Sequence, residues 1–194
     1  MPTETPSELK LTLVRHGQTT WNDAGTVQGQ RDDARLTALG RDQAQEAAHS
    51  LRGETFDSLF SSDLTRAIET AEIIAVALGL EVVTSDALRE RNFGDAEGQS
   101  VAELDQQLTG ITAHRIDNPH AHPRGGESMA DVYQRTSEFI TRLARERNGQ
   151  RLLLVTHGGA IRTIRAFASA TPLEGLAWDT VENCSVWPVD VSVI

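Results

Sequence analysis

The amino-acid sequence predicts an α/β domain in which strands alternate with helices around a largely parallel sheet. Short apolar, β-branched runs recur between longer segments with helical spacing, and that alternation packs helices against a sheet. In addition, Leu152-Leu153-Leu154-Val155 is apolar at every position, the mark of a central strand buried on both faces.

The elements follow in order. Leu9 to Val14 fits a buried first strand, after which His16 to Arg35 is polar and glycine-bearing. Thr37 can cap a helix running to about Leu51, with Ala44, Ala47, Ala48 and Leu51 on one stripe and Gly53 just past its end. Ser58 to Ser61 reads as a second strand. Asp63 or Ser62 is expected to cap the next helix, whose Leu64, Ala67, Ile68, Ala71, Ile74, Ala75 and Leu78 recur at helical spacing before Gly79. Glu81 to Thr84 looks like a third strand, Leu88 to Gly98 is irregular and charged, and residues 100 to 125 show no clear pattern. Beyond Pro123 and two glycines, Met129, Val132, Tyr133, Thr136, Ile140 and Leu143 mark a long helix ending near Arg147 and Asn148. The apolar run from Leu152 comes next, then a helix over Gly159 to Ala168 and a last strand over Ser185 to Asp190.

A length of 194 residues suits one domain, and no repeat, low-complexity tract or linker divides it. Residues 9–194 are therefore expected to form a single domain. Met1 to Glu8, polar with two prolines, reads as a flexible tail without the features of a signal peptide. No apolar run reaches the roughly 20 residues that span a bilayer, so a soluble cytoplasmic protein is expected. Twenty-eight acidic residues against eighteen basic ones give a formal charge of -10, which disfavours nucleic acid and anionic membranes as partners. The same field repels phosphorylated molecules, so a site for one needs its own concentrated positive charge. Cys184 is the only cysteine, which excludes an internal disulfide; without basic neighbours in sequence it reads as core filler rather than a nucleophile.

Two strands end alike, in Val14-Arg15-His16-Gly17 and in Val155-Thr156-His157-Gly158. Ligands in open α/β sheets collect beyond the carboxyl ends of strands, so His16 and His157 can converge on one pocket. Arg15 belongs to the same strand end, and Arg66 lies in the first turn after Ser61-Ser62-Asp63, where the helix dipole disfavours a cation unless an anion offsets it. Guanidinium groups match phosphate oxygens in pairs, and backbone amides after His157 can add donors. Each residue alone has a plainer reading: a packed histidine, a solvated arginine, an arginine paired with Asp63. A zinc site built on His16, His157 and a carboxylate is disfavoured, since arginines that attract phosphate repel a dication. His49, His114, His120 and His122 are read as surface or loop residues; His120-Ala121-His122 offers two metal ligands, too few for a site. Loops and motifs typical of nucleotide-binding proteins, zinc proteases and serine hydrolases are absent.

The stretch Leu13-Val14-Arg15-His16-Gly17-Gln18-Thr19-Thr20-Trp21-Asn22 resembles the signature of the histidine phosphatase superfamily, also called phosphoglycerate mutase-like. Similarity continues in family order through Gln28-Gly29, Leu36-Thr37-Ala38-Leu39-Gly40, Ser61 to Ala67, Leu88-Arg89-Glu90, Gly125 to Ser128 and Val155 to Gly159. Ala96 stands where many related phosphatases carry tryptophan, and Asp33-Ala34-Arg35 replaces the usual proline-bearing turn. The resemblance implies a three-layer α/β/α sandwich with a mixed, mostly parallel sheet. It also implies a phosphomonoester hydrolase of the histidine acid phosphatase type, with His16 as nucleophile and Glu90 as proton donor and acceptor. Arg15, Asn22, Arg66, His157 and Gly158 would hold the phosphoryl group, and no cofactor or metal is implied.

A phosphoglycerate mutase would use the same machinery. The resemblance gives mutases a longer, more basic insertion after the acidic motif and a tyrosine where this chain has Phe93. A catalytically silent phosphate- or phosphoprotein-binding module is the third reading, disfavoured because His16, Glu90 and His157 are all present. The expected partner is a small phosphorylated metabolite, with no nucleic acid and no membrane; a homodimer is compatible with the sequence. Residues 95–125 are the expected seat of specificity.

Overall fold

The computed structural model describes residues 8–102, 118–176 and 179–191. The expected tail up to Ser7 and residues 103–117 of the segment assigned to specificity, His114 among them, lie outside that range. Strands β1 (Leu9–Arg15), β2 (Ser58–Ser62), β3 (Val82–Ser85), β4 (Arg151–Thr156) and β5 (Val186–Val191) form one sheet in the order β3-β2-β4-β1-β5. Pairs β1 with β4, β4 with β2 and β2 with β3 are parallel, whereas β5 runs antiparallel along β1 at the edge. Helices α1 (Thr20–Asp23), α2 (Ala38–Ser50), α3 (Thr65–Leu78), α4 (Met129–Glu146) and α5 (Gly158–Ala168) complete the frame.

Side chains of a strand alternate between faces, and here each face has its own apolar layer. Leu9, Leu11, Leu13, Leu152 and Leu154 pack with Phe139, Ile140 and Leu143 of α4 and Ile161 and Ile164 of α5. On the opposite face Val14, Leu153, Val155 and Leu59 pack with Ala48 of α2 and Ala67, Ala71 and Ile74 of α3. Residues Leu152 to Val155 are fully buried, so the sheet has helices on both faces and β4 lies at its centre. That is the three-layer α/β/α sandwich.

Helix starts follow local chemistry, with one correction. Thr37 accepts a hydrogen bond from the Gly40 amide at α2, and Ser128 and Asp131 form a reciprocal capping box at α4. The polar stretch after His16 also contains a helical turn, α1, capped by Thr19 and Asn22 in the same way. Neither Asp63 nor Ser62 caps α3. Its flanking residue is Leu64, and Asp63 is drawn away by Arg89, whose Nε and Nη2 donate to its two carboxylate oxygens at 2.7 and 2.5 Å. Asp32 from the loop before α2 takes over, accepting from the Thr65 amide at 2.7 Å and from its hydroxyl at 2.5 Å. Cys184 is likewise not core filler. It is half-buried in a tight turn before β5, with a left-handed φ of 56° and its amide donating to the Arg15 carbonyl.

Candidate active site

Strands β2, β4 and β1 lie side by side and parallel, so their carboxyl ends reach the same rim of the sheet. Arg15 stands in register with Thr156, and the next residues are His16 and His157. Their rings lie 5.1 Å apart between centroids and tilted by 58°, about the spacing of adjacent strands. His157 is fully buried and His16 is 3 % exposed.

The backbone fixes the His16 ring, and a side chain fixes that of His157. The His16 amide donates to the Thr156 carbonyl at 2.9 Å, and Asn183 Nδ2 donates to the His16 carbonyl at 2.9 Å. His16 Nδ1 lies 2.8 Å from the Gly17 carbonyl, which can only accept; the ring proton is therefore on Nδ1 and Nε2 carries the lone pair. Gly17 follows because a β-carbon there would sit 2.4 Å from the Gly40 carbonyl oxygen. Its amide donates to Thr70 Oγ1, whose hydroxyl donates to the Arg66 carbonyl, coupling the end of β1 to α3. His157 Nε2 lies 2.8 Å from Ser62 Oγ at the end of β2.

Arg66 is completely buried. Its Nη2 and Nη1 donate to the carbonyls of Gly29 and Arg31 at 2.7 and 3.1 Å. Arg15 donates from Nη1 to the Val181 carbonyl at 2.5 Å. Among the described residues, buried polar atoms without a hydrogen-bond partner include Arg15 Nε, Arg66 Nε and His157 Nδ1. Glu90 enters from the loop after β3: its Oε1 accepts from the Arg91 amide at 2.7 Å and its Oε2 from the Gly159 amide at 3.1 Å, so it is no free surface carboxylate. Gly158 opens α5 directly after His157. Asn22 spends Oδ1 on the Thr19 amide and hydroxyl, and its Nδ2 remains a donor.

Burial is the largest influence on the charges. It holds both imidazoles well below the ordinary histidine value, and the Arg66 guanidinium pushes each further down, with Arg15 adding to the effect. Desolvation thus comes first and the neighbouring cations second. Burial also lowers Arg66 to about 10 and lowers Arg15, opposed in both by Glu90, so Arg66 remains cationic near neutrality. Two guanidinium groups, two neutral imidazoles and one carboxylate thus share a small volume, a local positive excess in a chain of net charge -10. Burial pushes the Cys184 thiol up to about 12, which keeps it protonated and a poor nucleophile.

His16, Glu90, His157, Arg15 and Arg66 are thereby brought to one rim, with Asn22 bonded through Asn183 to the same backbone. Ser62, Thr70 and Asn183 are not singled out by the sequence reading. Ser62 carries a usable signal, since it ends a strand as His16 and His157 follow theirs; Asn183 carries none, lying 167 positions from its partner. His49 is exposed on α2, and His120 and His122 are exposed in the loop before α4. Among the described residues no group of three or more histidine, cysteine, aspartate or glutamate side chains is arranged to hold a metal ion. No helix among them is long and apolar enough to cross a membrane.

Residues 11–192 match the model described as Histidine phosphatase superfamily (branch 1). The chain is 39% identical over 173 residues to phosphoglycerate mutase-like protein 4 of Arabidopsis thaliana, covering 85% of this chain and 74% of the relative. It is 36% identical over 183 residues to a protein of Proteus mirabilis named "Probable phosphoglycerate mutase GpmB", covering 94% and 85%. Among solved structures, a mycobacterial glucosyl-3-phosphoglycerate phosphatase superposes with a TM-score of 0.83 at 31% identity, covering 93% of this chain and 89% of that one. That phosphatase has also been solved with VO3 and with inorganic phosphate.

Proposed function

Because the chain belongs to the histidine phosphatase superfamily, we propose that it hydrolyses a small phosphomonoester through a phosphohistidine on His16. The single observation that carries the reading is the pair of neutral, buried imidazoles 5.1 Å apart beside Arg15 and Arg66. His16 Nε2 attacks phosphorus as the ester P–O bond breaks, and Glu90 in its acid form protonates the departing oxygen. Water then attacks the phosphohistidine, Glu90 takes its proton, and the N–P bond breaks to release phosphate and neutral His16.

Phosphoryl transfer needs positioning and stabilisation of charge on the equatorial oxygens. Arg15, Arg66, Asn22 Nδ2 and the Gly158 amide would supply donors. The Ser62 hydroxyl accepts from the Leu64 amide at 3.3 Å; donating its own proton to His157 Nε2 leaves the His157 proton on Nδ1, a further donor to phosphate. Support for this reading also comes from the mycobacterial phosphatase, a structural relative solved with phosphate and VO3. The names of the curated relatives favour a second reading, a mutase, in which the phosphohistidine returns its phosphoryl group to a retained phosphoglycerate.

A panel of phosphomonoesters assayed for released phosphate, with and without chelator, separates the two. Hydrolysis of monoesters supports the phosphatase; isomerised phosphoglycerate without free phosphate overturns it. His16→Ala should abolish turnover while inorganic phosphate still binds, and full activity in that variant would remove the proposed nucleophile.

A further inference from the structure

Glu90 sits on a loop with no strand ladder to hold it, and that loop is gripped from behind by one side chain. Arg135 of α4 uses all five of its N–H donors there. Its Nη1 donates to the carbonyls of Ala87 and Arg89 at 2.9 and 2.8 Å, and its Nη2 donates to the Glu90 carbonyl at 3.0 Å. The remaining two go to Glu127: Nε to Oε1 at 2.9 Å and Nη2 to Oε2 at 3.1 Å.

Glu127 in turn holds the far side of the same loop. Its Oε2 accepts from the Asn92 amide at 2.8 Å and from Gln30 Nε2 at 3.2 Å, and Gln30 Nε2 also donates to the Glu90 carbonyl at 3.0 Å. Its backbone amide donates to the Asn92 carbonyl and its carbonyl accepts from Arg91 Nε. The Arg135 and Glu127 side chains are only 20% and 24% exposed, so the pair is well shielded from solvent. A guanidinium is planar and rigid, so carbonyls bonded to it share one fixed frame. The loop from Ala87 to Asn92 is thereby referenced to α4, which packs against α5 through Ile140 and Ile161 in one apolar layer. Because α5 begins directly after His157, the clamp spans both partners whose separation matters: the Glu90 carboxylate and the phosphoryl site.

We propose that Arg135 and Glu127 are positioning residues that act through the backbone of residues 87–92 to set the reach of the Glu90 carboxyl group to the leaving oxygen. The proposal rests on the reading of Glu90 as proton donor given above. Displacing a catalytic group by about 1 Å can cost roughly 100-fold, whereas a merely structural ion pair affects all substrates alike.

The test uses kcat/KM, which reports formation of the phosphohistidine, for p-nitrophenyl phosphate and for benzyl phosphate. The nitrophenolate leaves without needing a proton; the benzyl alkoxide needs one. Arg135→Lys and the milder Glu127→Gln should lower kcat/KM for benzyl phosphate by roughly 10- to 100-fold and for p-nitrophenyl phosphate by less than about threefold. Glu90→Gln should show the same selectivity, and adding Arg135→Lys to Glu90→Gln should cost nothing further on benzyl phosphate, since the arginine acts through that carboxyl group. Equal losses on both substrates in the Arg135 and Glu127 variants, or additive losses in the double variant, overturn the positioning role alone. A Glu90→Gln enzyme without leaving-group selectivity overturns the proton-donor reading and this proposal with it.

Discussion

A β-carbon added to Gly159 would lie 2.2 Å from Glu90 Oε1 and 3.3 Å from its carboxyl carbon. The obstacle is the tip of a flexible side chain, so the substitution moves the carboxylate without breaking the helix. Gly159→Ala should therefore lower kcat/KM on an alkyl phosphate by roughly 10-fold or more, while stability in urea holds or rises by up to about 1 kcal/mol because alanine favours the helix. Retained activity would show that Glu90 has no fixed position to lose. At this scale placement was most legible: the alike strand ends of His16 and His157, with Arg15 and Arg66 beside them, point to one rim, whereas Glu90 stands out only through the family resemblance. The reason the imidazoles are neutral was not legible, because desolvation depends on burial, complete for His157 and nearly so for His16, which no linear pattern shows.

Helix α3 carries Arg66, and its first turn is tied down by Asp32 rather than by a residue next to it. Asp32→Ala should cost about 1 kcal/mol, the usual loss for an N-terminal cap, read from urea unfolding. A cost near zero would mean that water replaces the carboxylate fully. Strand β4 is the opposite case, with Leu154 fully buried between helices and neighbouring strands; Leu154→Ala should destabilise by about 2–5 kcal/mol in the same measurement. Elements whose signals are contiguous could be read directly, as with Thr37 before α2, Gly79 after α3 and the apolar run of β4. The cap of α3 could not, since Asp32 lies 33 positions before Thr65 and Asp63 is the obvious local choice until Arg89 claims it.

For the molecule as a whole, the alternation of strands and helices revealed the layers, but not the order β3-β2-β4-β1-β5, which depends on how β4 returns between its predecessors. The buried imidazoles give the whole fold a pH dependence. Both bind protons less readily when folded than when unfolded, so their stabilising effect is complete above the ordinary histidine value of 6.5 and is lost as pH falls below it. Each should remove about 1.4 kcal/mol per pH unit within that window, and His16→Ala should cut the slope by about half. Urea titrations between neutrality and the carboxylate range would measure it, and a flat profile would contradict the neutral, desolvated pair. The sheet order has a consequence for biosynthesis. Strands β1 and β2 are made early yet do not pair with each other, because β4 lies between them. A nascent chain that has emerged only through β3 therefore holds an incomplete sheet, and long-range closure of this kind is slow. Turnover regained after dilution from denaturant should therefore appear no earlier than the docking of Arg151–Thr156 into that slot, since His157 follows that strand and meets His16 there.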